Sequence, residues 1–236
     1  MNITDLYSTR IQKTFDDDQA EIVSILKANP KAALKLISYY KGLPLSYPAK
    51  IVSIDRGTLD LDVQAEQAFA IEKSRSVFIR SPLFKHDVFA QAQFVNIKKK
   101  AASFVKFSYV EIMAERRNFI RVATESQPNT AITSPLGLIE GQLADISLSG
   151  MNIVIQHSVP LEIDCEAPTS FKLRNIEQGL SLTINTPARL VNITGDKLPR
   201  NYKFTFNPDR SLERQLSQYI FQRQIEIIKE IKDAIE

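Results

Sequence analysis

The sequence predicts a mainly β fold with flanking helices, in which an N-terminal α+β domain is followed by a β-barrel and a C-terminal helix. Three observations predict it. Short strand-like runs with a period of two recur through residues 48–109 and again through residues 138–206. Helical periodicity is confined to residues 15–42 and to the end of the chain after Pro208. A length of 236 residues, 44% hydrophobic and 24% charged, suits two small folded domains with real cores.

In chain order, residues 15–42 read as two helices. Ile22, Val23, Ile25 and Leu26 share a helical face behind Asp16, Asp17 and Asp18, whose charges favour a helix N-terminus. Asn29-Pro30 suits the cap and first turn of a second helix carrying Leu34, Leu36, Ile37 and Tyr40, which Gly42 and Pro44 end. From Pro48 the period becomes two, and Arg56-Gly57 turns residues 51–55 back into residues 58–63 as a hairpin. Strands are expected at Ser76–Arg80, Val88–Ile97 and Ala101–Tyr109, with Lys98, Lys99 and Lys100 as a turn between the last two. Such strands make a small barrel or sandwich over residues 45–110. Residues 111–121 have neither strand period nor turn cluster and read as the connection out of a domain spanning residues 1–110. A second set of strands follows at residues 138–146, 151–156, 167–173, 181–192 and 201–206. Asn207-Pro208 then opens a helix striped by Leu212, Leu216, Tyr219, Ile220, Ile227, Ile228, Ile231 and Ile235.

Composition excludes several classes of function. Cys165 is the only cysteine, so no internal disulfide forms, and His86 and His157 stand alone, so no metal site is expected. The acidic trio at Asp16 lacks the glycine and spacing of a calcium loop. No run of about 18 apolar residues and no signal-like start are present, so no membrane insertion is expected and the protein should be cytoplasmic. No glycine-rich phosphate loop or Ser/His/Asp set appears, which argues against an enzyme. The net charge of +3 is too small to advertise general nucleic-acid binding. A rival nucleic-acid barrel would nevertheless use Phe104, Phe107 and Tyr109 beside Lys106. Charge is concentrated between Asn96 and Arg121, where seven basic residues face Glu111 and Glu115, an excess of five that suits an anion.

The candidate site is Arg116, Arg117 and Arg121, followed 24 residues later by Asp145, Ser147 and Gly150 in the run DISLSG. Each half alone is commonplace; the pair in this order at a boundary into a β-domain is specific. A guanidinium offers two parallel donors to guanine O6 and N7 or to phosphate oxygens, and also stacks on a base. The Asp145 carboxylate accepts from guanine N1 and N2, Ser147 supplies a small hydroxyl, and Gly150 lets backbone approach a ligand. No nucleophile with a base accompanies them, so binding is the natural use.

At these residues the chain resembles the PilZ domain family. Arg117 and Arg121 match its RxxxR switch signature, and Asp145, Ser147 and Gly150 its (D/N)xSxxG signature. Lys203 stands where many members have a glycine in the last barrel strand. The resemblance implies a six-stranded antiparallel β-barrel over residues 115–236 with its helix, and a receptor for cyclic di-guanosine monophosphate (c-di-GMP). The preceding half resembles the flagellar-brake (YcgR-like) type, which implies a small split barrel with a regulatory role. It also implies output in motility or surface attachment through a protein partner such as the flagellar motor. An arginine at position 116 implies two stacked c-di-GMP molecules per chain. No other cofactor, no metal and no nucleic acid is implied; a PilZ fold kept for protein contact alone is the alternative. The N-terminal or C-terminal helices could carry a homo-oligomer contact.

Overall fold

The computed structural model describes residues 8–11, 15–124, 129–134, 137–174 and 181–236. The chain divides into two compact units, Met1–Asn118 with Ile228–Glu236, and Phe119–Ile227.

The first unit is a closed six-stranded antiparallel barrel, β2 (Leu34–Tyr40), β3 (Leu43–Asp55), β4 (Thr58–Asp62), β5 (Ser76–Arg80), β6 (Asp87–Asn96) and β7 (Ala101–Ile112). The sheet runs β7-β4-β3-β2-β5-β6 and closes by the pairing of β6 with β7, while β1 (Ser8–Arg10) adds to the end of β7. Helix α1 (Phe15–Ala28) brings fully buried Ile22 and Leu26 to a core shared with Leu36, Leu59, Leu61, Ile79, Phe104 and Phe107. The Arg56-Gly57 hairpin forms as expected: both residues have positive φ, 45° and 82°, the twist that a two-residue hairpin between right-twisted strands needs.

The sequence reading of this unit fails in three places. Residues 34–40 are strand β2, not a second helix. Leu36, Ile37 and Ser38 are consecutively buried, with Leu36 in the main core and Ile37 in a separate cluster beside Phe78, Val110 and Ile112. Burial on both faces hides the period of two, and the β-branched and aromatic content decides the structure. Lys41-Gly42, φ 51° and 86°, is a hairpin turn into β3. A helix the sequence did not announce, α2 (Ala65–Ser74), starts at Gln64, which makes no side-chain capping bond, so the usual start signal is missing. Finally, β7 continues to Ile112 and a 3-10 turn occupies Met113–Arg116, so much of the expected connection is regular structure.

The aromatic residues of β7 explain themselves through a bulge. Phe104 and Phe107 are three apart, yet both are completely buried, because Lys106 adopts φ 56° and the register with β6 shifts there. An extra left-handed residue returns Phe107 and Tyr109 to the inner face. These rings are core, and they offer no stacking surface to nucleic-acid bases.

The second unit is another closed antiparallel barrel of six strands: β9 (Asn129–Ser134), β10 (Gly137–Ile146), β11 (Gly150–Ile155), β12 (Glu166–Arg174), β13 (Ser181–Thr194) and β14 (Arg200–Thr205). The order is β11-β14-β13-β12-β9-β10, closed by β10 with β11; a two-residue strand, β8 (Val122–Ala123), pairs with the end of β10. Alternation is clean in β12, where Ala167, Thr169, Phe171 and Leu173 are buried between outward residues. Tyr202, Phe204, Leu143, Ile146, Met151 and Ile153 fill the same interior. Strands β8 and β9 were missed; NTAITS is short, polar and threonine-rich, with little apolar contrast to reveal its period. Helix α3 (Arg210–Ile235) begins later than Asn207-Pro208 suggests, because Asp209 caps it by accepting the Leu212 amide at 2.8 Å. Within the stripe, Leu216, Tyr219, Ile220, Ile227 and Ile231 are buried, while Ile228 is exposed. No described helix is long and apolar enough to cross a membrane.

Candidate ligand-binding site

The hairpin between β10 and β11 gathers the second half of the sequence motif. Ile146 pairs with Met151 and Asp145 with Asn152, leaving Ser147 to Gly150 as the turn. Two bonds close it: the Ser147 amide donates to the Gly150 carbonyl at 2.8 Å, and the Ser147 hydroxyl donates to the same oxygen at 3.1 Å. Ser147 is therefore buried and holds the turn in shape. Gly150 is needed for close approach rather than for φ. A Cβ there would stand 3.0 Å from the Phe204 carbonyl, 3.4 Å from Arg121 Nη2 and 3.7 Å from the Ser147 hydroxyl. The tight neighbour is the Phe204 carbonyl, so the missing side chain is what lets the turn pack against β14, with the Arg121 guanidinium in ordinary contact beside it.

Arg121 reaches Asp145 across the sheet because β8 sets Ala123 opposite Asp145 and Val122 opposite Ile146. Arg121 Nη1 lies 3.3 Å from Asp145 Oδ1, with 22% and 27% of the two side chains exposed. That distance is long for a charge-assisted bond, whose usual length is roughly 2.7–2.9 Å, and it uses one of the five donors of the guanidinium. The pair aims Arg121 without saturating it. The other Asp145 oxygen accepts from Asn152 Nδ2 at 3.0 Å, and the same nitrogen donates to Asn201 Oδ1 at 3.2 Å. Asn152 was not picked out from the sequence. Counting outward from the turn would have found it, since a hairpin that pairs 146 with 151 must pair 145 with 152.

The first half of the motif begins in the other unit. Arg116 ends the 3-10 turn and is paired with Glu111; both are well exposed, at 62% and 44%. Arg117 leaves the turn in extended conformation, φ −80° and ψ 133°. Glu115 is held by Arg80, which donates to it at 2.7 and 3.1 Å and to Asp87 at 2.6 and 2.7 Å. These bonds, to Asp87 first and Glu115 second, push the Arg80 pKa further up. The start of the arginine segment is thus anchored to β5 and β6. Arg121, Asp145, Ser147 and Gly150 come together in one unit, whereas Arg116 and Arg117 are described with the other.

The remaining candidates take structural places. Lys98, Lys99 and Lys100 form the exposed turn before β7, with Lys100 at φ 52°. His86 stands with its ring 6.1 Å from that of Tyr109. His157 is exposed after β11, and Cys165 is partly buried. Among the described residues no cluster of three or more His, Cys, Asp or Glu could hold a metal ion.

The second unit is thus a closed antiparallel β-barrel domain that bears an arginine–carboxylate pair beside a glycine turn. Residues 115–222 match the PilZ domain family, and this part of the chain is a PilZ domain. No curated protein matches the chain by sequence. Among solved structures it is similar to YcgR in complex with c-di-GMP from Escherichia coli, at 21% identity and TM-score 0.45, covering 95% of this chain and 100% of that one. It is also similar to the inhibitor of motility MotI/DgrA of Bacillus subtilis, at 16% identity and TM-score 0.43, covering 84% and 98%. The K. pneumonia MrkH–c-di-GMP complex matches at 11% identity and TM-score 0.47, covering 94% and 99%.

Proposed function

We propose that this chain is a c-di-GMP receptor that regulates motility or surface attachment through a protein contact. The observation that carries this reading is the Arg121–Asp145 pair laid over Gly150 within a stretch that matches the PilZ domain. In the proposed complex Arg117 and Arg121 bind phosphate oxygens and the guanine O6 and N7 edge. Asp145 accepts from the guanine N1 and N2 donors. Ser147 and Gly150 keep the turn low enough for the ligand to sit on it. Ligand that fixes residues 116–121 against the barrel also selects one arrangement of the two domains, which the partner then reads.

Arg116 supports a second, stacked ligand. Its pairing with Glu111 is an exposed one, and such pairs contribute about 0–1 kcal/mol, little enough for a phosphate or a guanine face to displace. We therefore propose two c-di-GMP molecules per chain. The rival reading as a nucleic-acid barrel loses its stacking platform, since Phe104 and Phe107 are completely buried.

Isothermal titration with c-di-GMP, with GMP as control, tests the reading. Saturable binding of c-di-GMP at two per chain is expected, falling as salt is raised because exposed phosphate–arginine attraction is screened over about 8–10 Å. Absence of binding at millimolar ligand would leave a PilZ fold used for protein contact alone.

A further inference from the structure

The most buried arginine described in the second unit lies outside the signatures. Arg223, on α3, has only 5% of its side chain exposed. Its Nε donates to the backbone carbonyl of Ala123 at 3.0 Å, and Nη1 donates to Glu226 Oε2, one helical turn further on, at 2.8 Å. Burying a guanidinium is expensive even when a carboxylate neutralises it, and an unbranched apolar side chain of similar volume would pack there at lower cost. What only a charged donor adds is direction, and here it is directed at β8.

Strand β8 needs that support. It has two residues, Val122 and Ala123, and among the described residues its only sheet neighbour is β10, at Ile146 and Asp145. Thr124 extends the hold through its amide to the Ala144 carbonyl at 3.0 Å and its hydroxyl to the Leu143 carbonyl at 2.5 Å. All of those bonds face β10. On the other edge Arg223 supplies the donor that a further strand would have supplied. The residue immediately before β8 is Arg121, and its 3.3 Å approach to Asp145 depends on where β8 lies.

We infer that Arg223 is a positioning residue of the ligand site: by fastening the open edge of β8 to α3 it sets the Arg121 guanidinium over the Asp145–Gly150 turn. The inference deepens the c-di-GMP reading and rests on it. Arg223 touches no ligand in this scheme and acts through Arg121 alone.

The test combines Arg223→Met, Arg223→Lys and Arg121→Ala in the full chain, with c-di-GMP titration, thermal unfolding and amide hydrogen exchange. Arg223→Met should keep a cooperative melt but weaken c-di-GMP binding about tenfold, the scale of one charge-assisted hydrogen bond. Arg223→Lys, which keeps the charge and a donor, should recover part of that loss. In the Arg121→Ala background Arg223→Met should cost nothing further, because its route to the ligand is already gone. Without ligand, the Thr124 amide should exchange faster in Arg223→Met while the β12–β13 ladder stays protected. Affinity within twofold of the unaltered protein, a full additive loss in the Arg121→Ala background, or unchanged Thr124 exchange would overturn the inference. If Arg223→Met does not fold, the same comparisons are made with Arg223→Gln, whose shorter uncharged side chain lacks the Nε donor to Ala123, with the same outcomes deciding. An unaltered protein that binds no c-di-GMP would instead overturn the functional reading, while exchange at Thr124 would still report whether Arg223 fastens β8.

Discussion

The two barrels have the same strand number and the same closure, yet Arg80 in the first and Arg121 in the second are held in opposite ways. In the first, Arg80 is shared between two carboxylates at 2.6–3.1 Å, and Asp60 takes hydroxyls from Ser53 and Ser103 at 2.5 Å each. In the second, Arg121 meets Asp145 through one nitrogen at 3.3 Å, beside Gly150. Saturated charges brace a scaffold; a guanidinium held by one long bond keeps donors for something else. The shared fold therefore does not by itself assign a role to either barrel, and the proposed binding role rests on a handful of side chains at one hairpin.

The largest effect that would break this comparison is on affinity. Arg121→Ala should weaken c-di-GMP binding at least tenfold, from a charge-assisted contact worth roughly 1.5–3 kcal/mol. Its effect on the melting temperature should be small, because the Arg121–Asp145 pair is long and partly solvated. Equal affinity in the variant, measured by titration, would remove Arg121 from the site.

Glycine substitutions sharpen the contrast inside the second barrel. At Gly141 a Cβ would stand 2.5 Å from Ile153 Cγ2 and 3.1 Å from both Ile155 Cγ1 and the Val154 carbonyl, so Gly141→Val overpacks the barrel wall. A loss of roughly 1–3 kcal/mol in stability is expected in urea unfolding, with c-di-GMP affinity little changed. Gly150→Ala should do the reverse, with a modest stability cost and a several-fold loss of affinity, because the new methyl group stands 3.0 Å from the Phe204 carbonyl and must shift the turn on which Arg121 rests. Matching effects of the two variants on both measurements would show that Gly150 is there for packing alone.

Stoichiometry offers a gentler test. Arg116→Leu should reduce two bound c-di-GMP molecules to one while Arg117 and Arg121 keep the first. Glu111→Gln, which releases Arg116 from its partner, should tighten the weaker of the two binding steps by a few-fold at most, since an exposed pair holds Arg116 back by about 0–1 kcal/mol. Clean saturation at one ligand in the unaltered protein would end this part of the proposal.

The mainly β fold, the second barrel's longer strands and the residues of the 145–150 turn were legible because period-two alternation and local motif spacing are both written over short distances. Strand β2 was not, because Leu36, Ile37 and Ser38 are buried together on two faces and the alternation vanishes. Helix α2 lacked a capping side chain to announce it. Asn152 and Arg223 were invisible for a different reason: each matters through a partner in space, Asp145 across a hairpin and Ala123 from 100 residues away. A motif records what a turn requires locally, and tertiary partners must be read from the fold.

The smallest expected effect probes the bracing side of the comparison through pH. Asp60, on β4, has its pKa lowered from the ordinary 3.8, first by the Ser103 hydroxyl and then by that of Ser53, with desolvation acting weakly the other way. A carboxyl whose folded pKa lies below its unfolded value binds its proton more readily when unfolded, so it stabilises the fold above about pH 3.8. That contribution fades as the pH falls below 3.8 and through the lowered folded value. Asp60 is half-buried and still reached by solvent, so the effect amounts to a small shift in melting temperature rather than a collapse of the barrel. The sign is best read as the difference between the unaltered protein and Asp60→Asn, which cancels every other titrating group. The unaltered protein should be the more stable of the two at pH 6, with the gap narrowing as the pH falls below 3.8. A gap that stays constant as the pH falls would mean that the Ser53 and Ser103 hydroxyls do not favour the carboxylate, and that the first barrel's charges are no more saturated than those of the second.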